Sequence, residues 1–295
     1  MLEVLDGAPG ASQRIGVVVH PVRDIAGPLL AVREWATTHG VDLVQLRVAG
    51  AHQQVAEPGE ISDCDLIVSI GGDGTTLAAV RAASKVDRPV LGVACGSLGA
   101  LTAVSAEGVS DALGRLHRRD WVPRPLPALI VARPGDAADL FAINDIAVVR
   151  AGGGQLRLAA SVDGVLFGRV AGDGCIVSTP MGSSAYTIAA GGPLLAPGAV
   201  AFVLTPLPAH GGSCPPLVMG VESTLQLEAV GGHGGARLEV DGQVVDTEVG
   251  SMTIRFRPGV ATLVSFDGQE PLLAGLRRRA IITDSPRIVA DDANS

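Results

Sequence analysis

Aromatic residues are scarce here: two Trp, one Tyr and five Phe in 295 residues. Any core must therefore be filled by Val, Leu, Ile and Ala. Positive charge is also short, since 22 Lys and Arg face 30 Asp and Glu for a net charge of −8. The one basic tract, Arg277 to Arg279, reads as a solvated helix end. The basic face of a nucleic-acid-binding protein is thus missing. An acidic chain that handles phosphates has to gather backbone N–H groups locally instead. Cys64, Cys95, Cys175 and Cys214 lie far apart with no C-x-x-C pair, which argues against a disulfide framework or a metal site and leaves buried free thiols. No run approaches the ~18 apolar residues of a membrane span. Met1 to Arg14 also lacks the charged start and apolar stretch of a secretory signal, so a cytoplasmic protein is expected, with no nucleic-acid or membrane partner.

What is plentiful is glycine and proline, 39 and 19 residues, which implies many tight turns and close backbone approaches. Through about residue 125, short apolar runs alternate with amphipathic stretches. Ile15 to Val19, Val41 to Val48, Asp65 to Ile70 and Val90 to Val93 read as strands. Pro28 to Thr38, with Trp35 as a core residue, Thr75 to Ser84, and Gly108 to Arg118 read as helices. This βαβ rhythm predicts an α/β domain with a Rossmann-like open parallel sheet over residues 1–125. After Trp121-Val122-Pro123 the segments become strand-like and glycine-punctuated, among them Phe141 to Val149, Leu156 to Val162, Cys175 to Ser178, Val200 to Leu204, Thr224 to Val230, Leu238 to Val240 and Thr253 to Phe256. An all-β, sandwich-like domain is expected over 126–270. A tail, 271–295, is expected to return toward the first domain, with Thr283 to Ser295 frayed and Asp267-Gly268-Gln269 forming a hairpin turn.

The strand Asp65 to Ile70 runs into Gly71-Gly72-Asp73-Gly74-Thr75, with a helix following. Open α/β sheets bind ligands where such loops leave the strands. Glycines let the backbone approach phosphate oxygens, and a helix start presents unpaired N–H groups. A carboxylate in that setting has a use: accepting a proton from an attacking hydroxyl, or holding a metal. There is no Walker A Gly-Lys-Ser/Thr, and no G-x-G-x-x-G opens the first helix. A β-turn with an Asp helix cap remains the alternative for the loop taken alone.

A second segment is more distinctive. Gly172-Asp173-Gly174-Cys175-Ile176-Val177-Ser178-Thr179-Pro180-Met181-Gly182-Ser183-Ser184-Ala185-Tyr186 precedes Gly191-Gly192-Pro193. A strand ends in a Thr-Pro turn, and a small, hydroxyl-rich loop leads into a helix over Ser184 to Ala190. These two segments resemble the NAD kinase family, marked by a GGDGT loop, an Asn-acid pair and a DG…STPxGSxAYxxxxGGP run. Asn144-Asp145 matches the Asn-acid pair, Gly92 to Gly99 the family's G-x-x-x-G-x-L-G segment, Thr205 to His210 its Ala/Pro-His segment, and Asp241-Gly242-Gln243 its late DGQ. The marks run in family order over roughly residues 65 to 245.

The resemblance implies transfer of the γ-phosphoryl group of ATP, or another donor, to the 2′-hydroxyl of the adenosine ribose of NAD, giving NADP. It implies that Asp73 takes the hydroxyl proton, and that Gly71, Gly72, Gly74 and Thr75 cradle the donor phosphates. Mg²⁺ or another divalent cation would arrive with ATP, without dedicated protein ligands. Asn144 and Asp145 would lie in the dinucleotide pocket, Asp173 at its nicotinamide end, and Ser184, Ala185 and Tyr186 would complete it. A homodimer or homotetramer is implied. Without the resemblance, Asn144-Asp145 reads as a strand-initiating turn and His210 as a structural residue.

Several positions depart from the pattern. Ala94 replaces a common Asn, Ala100 a Phe, Met181 a Thr or Ser, Asp145 a Glu and Pro215 an Arg. None touches Asp73 or the phosphate loop, so the departures bear on the acceptor. Two other readings follow: a related enzyme phosphorylating another nucleotide or sugar-containing metabolite, and a non-catalytic dinucleotide-binding regulator. Lipid kinases share the GGDGT loop but lack the Thr-Pro-x-Gly-Ser-x-Ala-Tyr segment.

Overall fold

A computed structural model describes residues 14–48 and 53–293, in two compact units. The first comprises residues 1–124 and 263–295, the second residues 125–262. The second division falls at Leu263, inside a long strand, and not at 270/271.

The first unit opens with β1 (Arg14–Val19), α1 (Ala26–His39), β2 (Asp42–Leu46) and the short β3 (Pro58–Gly59). It continues with β4 (Leu66–Gly71), α2 (Asp73–Ala83), β5 (Val90–Ala94), β6 (Val104–Ser105) and α3 (Val109–His117). The sheet order is β5-β4-β1-β2-β3, every pairing parallel, with β6 beside β5. Strand β4, Leu-Ile-Val-Ser-Ile-Gly, is buried along its whole length, as a strand covered on both faces must be. Trp35 is buried on α1 and stacks on His39 at 4.3 Å between ring centroids. Helix α1 ends at Gly40, whose φ of 66° suits a glycine cap.

The second unit begins in β7 (Val122–Ala132), then β8 (Leu140–Ala142), β9 (Asp145–Arg150), β10 (Leu156–Val162), β11 (Val165–Gly172) and β12 (Gly174–Ser178). Helix α4 (Pro180–Gly182) continues into a π-helical turn, Ser183–Thr187. Next come β13 (Ala201–Pro206), β14 (Leu217–Gly220), β15 (Thr224–Val230), β16 (Ala236–Val240), β17 (Gln243–Asp246) and β18 (Ser251–Ser265). One layer runs β11-β10-β15-β18, with β7 joining β18 and β8 joining β7. The other runs β14-β13-β12-β9-β16-β17, antiparallel throughout.

Side chains of both layers share one core, from Leu156, Leu158 and Leu225 on one to Ile146, Val177 and Leu238 on the other. Phe202 on β13 stacks across it on Phe256 of β18 at 6.2 Å. Strand β15 alternates buried and exposed residues, as a sheet with one wet face requires. Strand β12 is buried throughout, because Ile176 joins Ala147, Val149 and Leu207 in a second cluster on the other face.

The expected strand Phe141 to Val149 is broken at Ile143-Asn144 into β8 and β9. Strands β11, β14 and β17 had no sequence-based counterpart. The tail differs as well. Leu263 of β18 pairs with Val90, and α5 (Leu272–Arg278) follows. Thr283 to Ser295, expected to fray, contains helix α6 (Pro286–Ala293). Asp267-Gly268 leads from β18 toward α5 and is not a hairpin; the hairpin turn is Asp241-Gly242, between β16 and β17. Arg277 and Arg278 end α5 and are exposed, pairing with Asp284 and Glu270.

Because so few aromatics fill the sandwich, Phe202→Ala is expected to cost about 3–5 kcal/mol in urea unfolding, while Val165→Ala on the outer strand β11 costs under ~0.5 kcal/mol. Equal costs would place the core elsewhere.

Candidate active site

In the first unit, β4 delivers Gly71 and Gly72 at its carboxyl end, and α2 begins at Asp73, two residues before the expected Thr75. Gly72 is the N-cap, and its carbonyl accepts the first helical bond from Thr76 N–H at 3.0 Å. The buried hydroxyls of Ser69 and Thr76, 3.1 Å apart, tie strand to helix. Gly71 is the last residue of the strand, while Gly72, Asp73, Gly74 and Thr75 open the helix, where the first four N–H groups have no intrahelical acceptor.

Asp73 does not cap its own helix. Its Oδ2 accepts the Ala100 N–H at 2.8 Å and its Oδ1 the Leu101 N–H at 2.9 Å. Contrary to the sequence-based expectation, one departing position, Ala100, therefore does touch Asp73, through its backbone. A Cβ on Gly99 would overlap this carboxylate, so glycine is required there by contact. Thr102 Oγ1 accepts the Gly99 N–H at 2.7 Å, and Arg124 Nη1 donates to the Ala100 carbonyl at 3.0 Å. Burial lowers the Arg124 guanidinium from its ordinary value, and the nearby Asp73 charge opposes that shift. Gly99, the last residue of the family's G-x-L-G segment, together with Ala100 and Leu101 just after it, is therefore the mould that fixes the Asp73 carboxylate. The role of Arg124 had no signal in the sequence.

In the second unit, Asn144 lies just before β9 and Asp145 begins it, at a turn fixed from two sides. Asp241 accepts the N–H groups of Ile143, Asn144 and Asp145 at 3.2, 2.7 and 3.3 Å. It does so from a hairpin turn with φ of 51° at Asp241 and 76° at Gly242. Opposite, Thr179 N–H donates to the Asn144 carbonyl at 2.9 Å, and Thr179 Oγ1 donates to the Ile143 carbonyl at 2.7 Å. A Cβ on Gly182 would overlap the Asn144 carbonyl, so the Thr-Pro-x-Gly turn abuts the Asn-acid pair. The Asn144 amide side chain makes no hydrogen bond among the described residues. Thr179 and Asp241 carry this geometry, and only the motif matches hinted at them.

Asp173 and Tyr186 come together on a separate pocket of about 430 Å³, also lined by Arg150, Leu207, Pro208 and Arg237. Arg150 Nε donates to Asp173 Oδ1 at 2.5 Å. Tyr186 is 39% exposed, leaving its ring accessible. Ser184 and Ala185 do not line this pocket: the Ser184 hydroxyl donates to the Met181 carbonyl at 2.9 Å, and Ala185 sits at the kink of the π-helical turn. Such π-helical turns are frequent at functional sites. His210 is exposed, and its N–H donates to the Ala171 carbonyl. Two departures from the family pattern, Ala94 and Met181, are buried at 1% and 8% exposure, so they act on packing. Among the described residues no three His, Cys, Asp or Glu side chains cluster as a metal site, and no helix is long and apolar enough to cross a membrane.

Burial, reinforced by Asp241 and Glu239, raises the Asp145 carboxyl from 3.8 to about 7. The protonated acid is thus favoured in the folded state. Its stabilising effect is full below pH 3.8 and is lost as pH rises to about 7, because the unfolded chain ionises first. Asp145→Asn should therefore raise the melting temperature relative to wild type above about pH 7 and lose that advantage below about pH 4. A difference independent of pH would contradict the buried acid.

The comparisons with known proteins agree with one another. Residues 31–121 match the ATP-NAD kinase N-terminal domain and residues 143–250 the ATP-NAD kinase C-terminal domain. The NAD kinase of Gemmatimonas aurantiaca is 36% identical over 212 residues, 69% of this chain and 73% of that protein. NAD kinase 1 of Streptomyces avermitilis is 32% identical over 327 residues, 94% of this chain and 90% of that protein. Among solved structures, an NAD kinase from Archaeoglobus fulgidus in complex with ATP superposes with a TM-score of 0.70 at 27% identity, covering 92% of this chain and all (100%) of that one. Yeast NADH kinase complexed with NADH gives 0.73 at 20% identity over 92% and 89% of the two chains, a likeness of fold. With both domains matched in order and relatives this similar over most of their length, the chain belongs to the NAD kinase family of enzymes.

Proposed function

We propose that the protein phosphorylates the 2′-hydroxyl of the adenosine ribose of NAD, with ATP as donor and Asp73 as general base. The observation that carries this reading is the Asp73 carboxylate, held by the N–H groups of Ala100 and Leu101 where β4 gives way to α2. Two hydrogen bonds fix its orientation, and lone pairs remain on both oxygens for a third donor. The ribose hydroxyl gives its proton to Asp73 as its oxygen bonds to the γ-phosphorus. The bond from that phosphorus to the bridging oxygen breaks, and ADP leaves.

The phosphates lie against the Gly71, Gly72, Gly74 and Thr75 loop, where backbone N–H groups and the helix dipole favour negative charge. Mg²⁺ bound to the donor would offset the developing charge, with no dedicated protein ligands. Asn144 brings a donor and an acceptor to the dinucleotide, and Asp145 stands beside it. Asp173 and Tyr186 serve the nicotinamide end, with Ser184 and Ala185 shaping the turn that carries Tyr186. The enzyme is expected to act in the cytoplasm as a homodimer or homotetramer.

Asp73→Asn puts an amide N–H against one of the two backbone N–H donors and removes the base. It is expected to bind NAD within about twofold of wild type while turnover falls ~10²–10⁴-fold. NADP formation from NAD and MgATP by the purified protein is the measurement. Turnover of the variant within about threefold of wild type would remove Asp73 from the mechanism.

A further inference from the structure

The strand order of the first unit singles out a position that the family marks do not mention. β1 has β2 on one side and β4 on the other, so the direction of winding reverses between β1 and β4. Ligands of open α/β sheets sit beyond the carboxyl ends of the strands at such a reversal. The loop leaving β4 carries Gly71 and Gly72. The loop leaving β1 runs from His20 to Ile25 and is bound to β4 by the His20 N–H on the Ile70 carbonyl at 2.9 Å.

Within that second loop stands Arg23. Its Nη1 donates to the Cys95 carbonyl at 3.1 Å. It lies 3.6 Å from where a Cβ would sit on Gly72 and 3.7 Å from the equivalent point on Gly96. The guanidinium therefore stands over two glycines, one from the phosphate loop and one from the segment that fixes Asp73. Neither distance is a clash, so what a bare backbone preserves here is room beside a positive charge.

The loop is organised in advance. His20 Nδ1 accepts the N–H groups of Val22 and Arg23 at 3.2 and 3.1 Å. Gln53 Nε2 donates to the carbonyls of His20 and Arg23 at 2.9 and 3.2 Å, and Gln45 Nε2 holds Gln53 through its carbonyl at 2.6 Å. Arg115, Arg133, Arg150 and Arg278 are each paired with a carboxylate. Arg23 has no such partner among the described residues, in a chain of net charge −8. One of its five N–H donors is used on Cys95, and the rest remain for a planar or tetrahedral oxyanion.

We propose that Arg23 binds the phosphate chain of the donor, its guanidinium closing over the phosphates that Gly72 and Gly96 leave space for. This rests on the phosphotransfer reading above and adds to it a donor-specific side chain. Loss of a charge-assisted, forked contact to phosphate weakens binding about tenfold or more.

The test uses the full chain and the variants Arg23→Gln and Arg23→Lys, with thermal melts to confirm folding. Calorimetry measures affinity for inorganic tripolyphosphate and for MgATP, and steady-state assays measure KM for each substrate. Arg23→Gln should weaken both phosphate compounds about tenfold and raise KM for ATP in step, with KM for NAD within about twofold. Arg23→Lys should recover part of the loss, because it keeps the charge but not the fork. Unchanged tripolyphosphate affinity, or equal rises in both KM values, overturns the proposal. Wild-type protein that binds tripolyphosphate through Arg23 yet forms no NADP overturns the choice of acceptor and leaves the role of Arg23 standing. Wild-type protein that binds neither phosphate compound overturns both.

Discussion

The pair of hydrogen bonds from the Ala100 and Leu101 N–H groups to the Asp73 carboxylate is the constraint on which the first unit's site depends. It couples three pieces of backbone remote in sequence: the end of β4, the loop after β5 and, through Arg124 on the Ala100 carbonyl, the start of β7. A carboxylate in the first turn of a helix would ordinarily face the unpaired N–H groups and positive dipole end there. Here it is directed outward because the neighbouring segment offers two amides and, at Gly99, no side chain. The helix N–H groups that an inward-turned Asp would have consumed stay available to an anionic ligand.

The second unit solves the same problem with the same chemistry. Asp241 gathers three N–H groups from Ile143 to Asp145, and Thr179 engages two carbonyls of that turn. Buried backbone polar groups must be paired, and a turn between two strands has no ladder partner to pair them. A carboxylate fixed by a hairpin supplies the acceptor. The consequence reaches Asp145, whose own carboxyl is raised chiefly by burial and then by the Asp241 and Glu239 charges beside it. The late Asp-Gly-Gln is thus a brace for the Asn-acid pair.

Much of this was legible in the sequence where a pattern has one physical cause. Leu156–Val162 and Thr224–Val230 are strands over the residues that apolar content and turn punctuation assign. The nearly all-apolar run before Gly71 is a strand buried on both faces. What stayed hidden has causes that no local window contains. β11 carries Gly168 and Gly172 and is largely exposed or half-buried, so neither apolar content nor alternation marks it. The break at Ile143-Asn144 comes from Asp241, nearly a hundred residues later. The start of α2 at Asp73 was missed because Asp and Gly are weak helix formers, and the partners that hold them there come from a distant loop. Arg23 carries no motif and becomes visible only when strand order brings two loops to one edge.

The departures from the family pattern take on a different meaning in this geometry. Ala94 closes the buried strand β5, and Met181 is packed inside the Thr-Pro turn, so both change how loops are supported. Ala100 is more informative. Its N–H holds Asp73 and its carbonyl holds Arg124, and both bonds belong to the backbone. The side chain at position 100 can therefore vary without disturbing the carboxylate. Orientation of the Asp73 carboxylate and the side-chain surface at position 100 are carried by different atoms of one residue. A phosphotransferase built this way can keep its chemistry fixed while the contact surface next to it changes, which is why an intact Asp73 loop and an altered neighbouring side chain are compatible in a single chain.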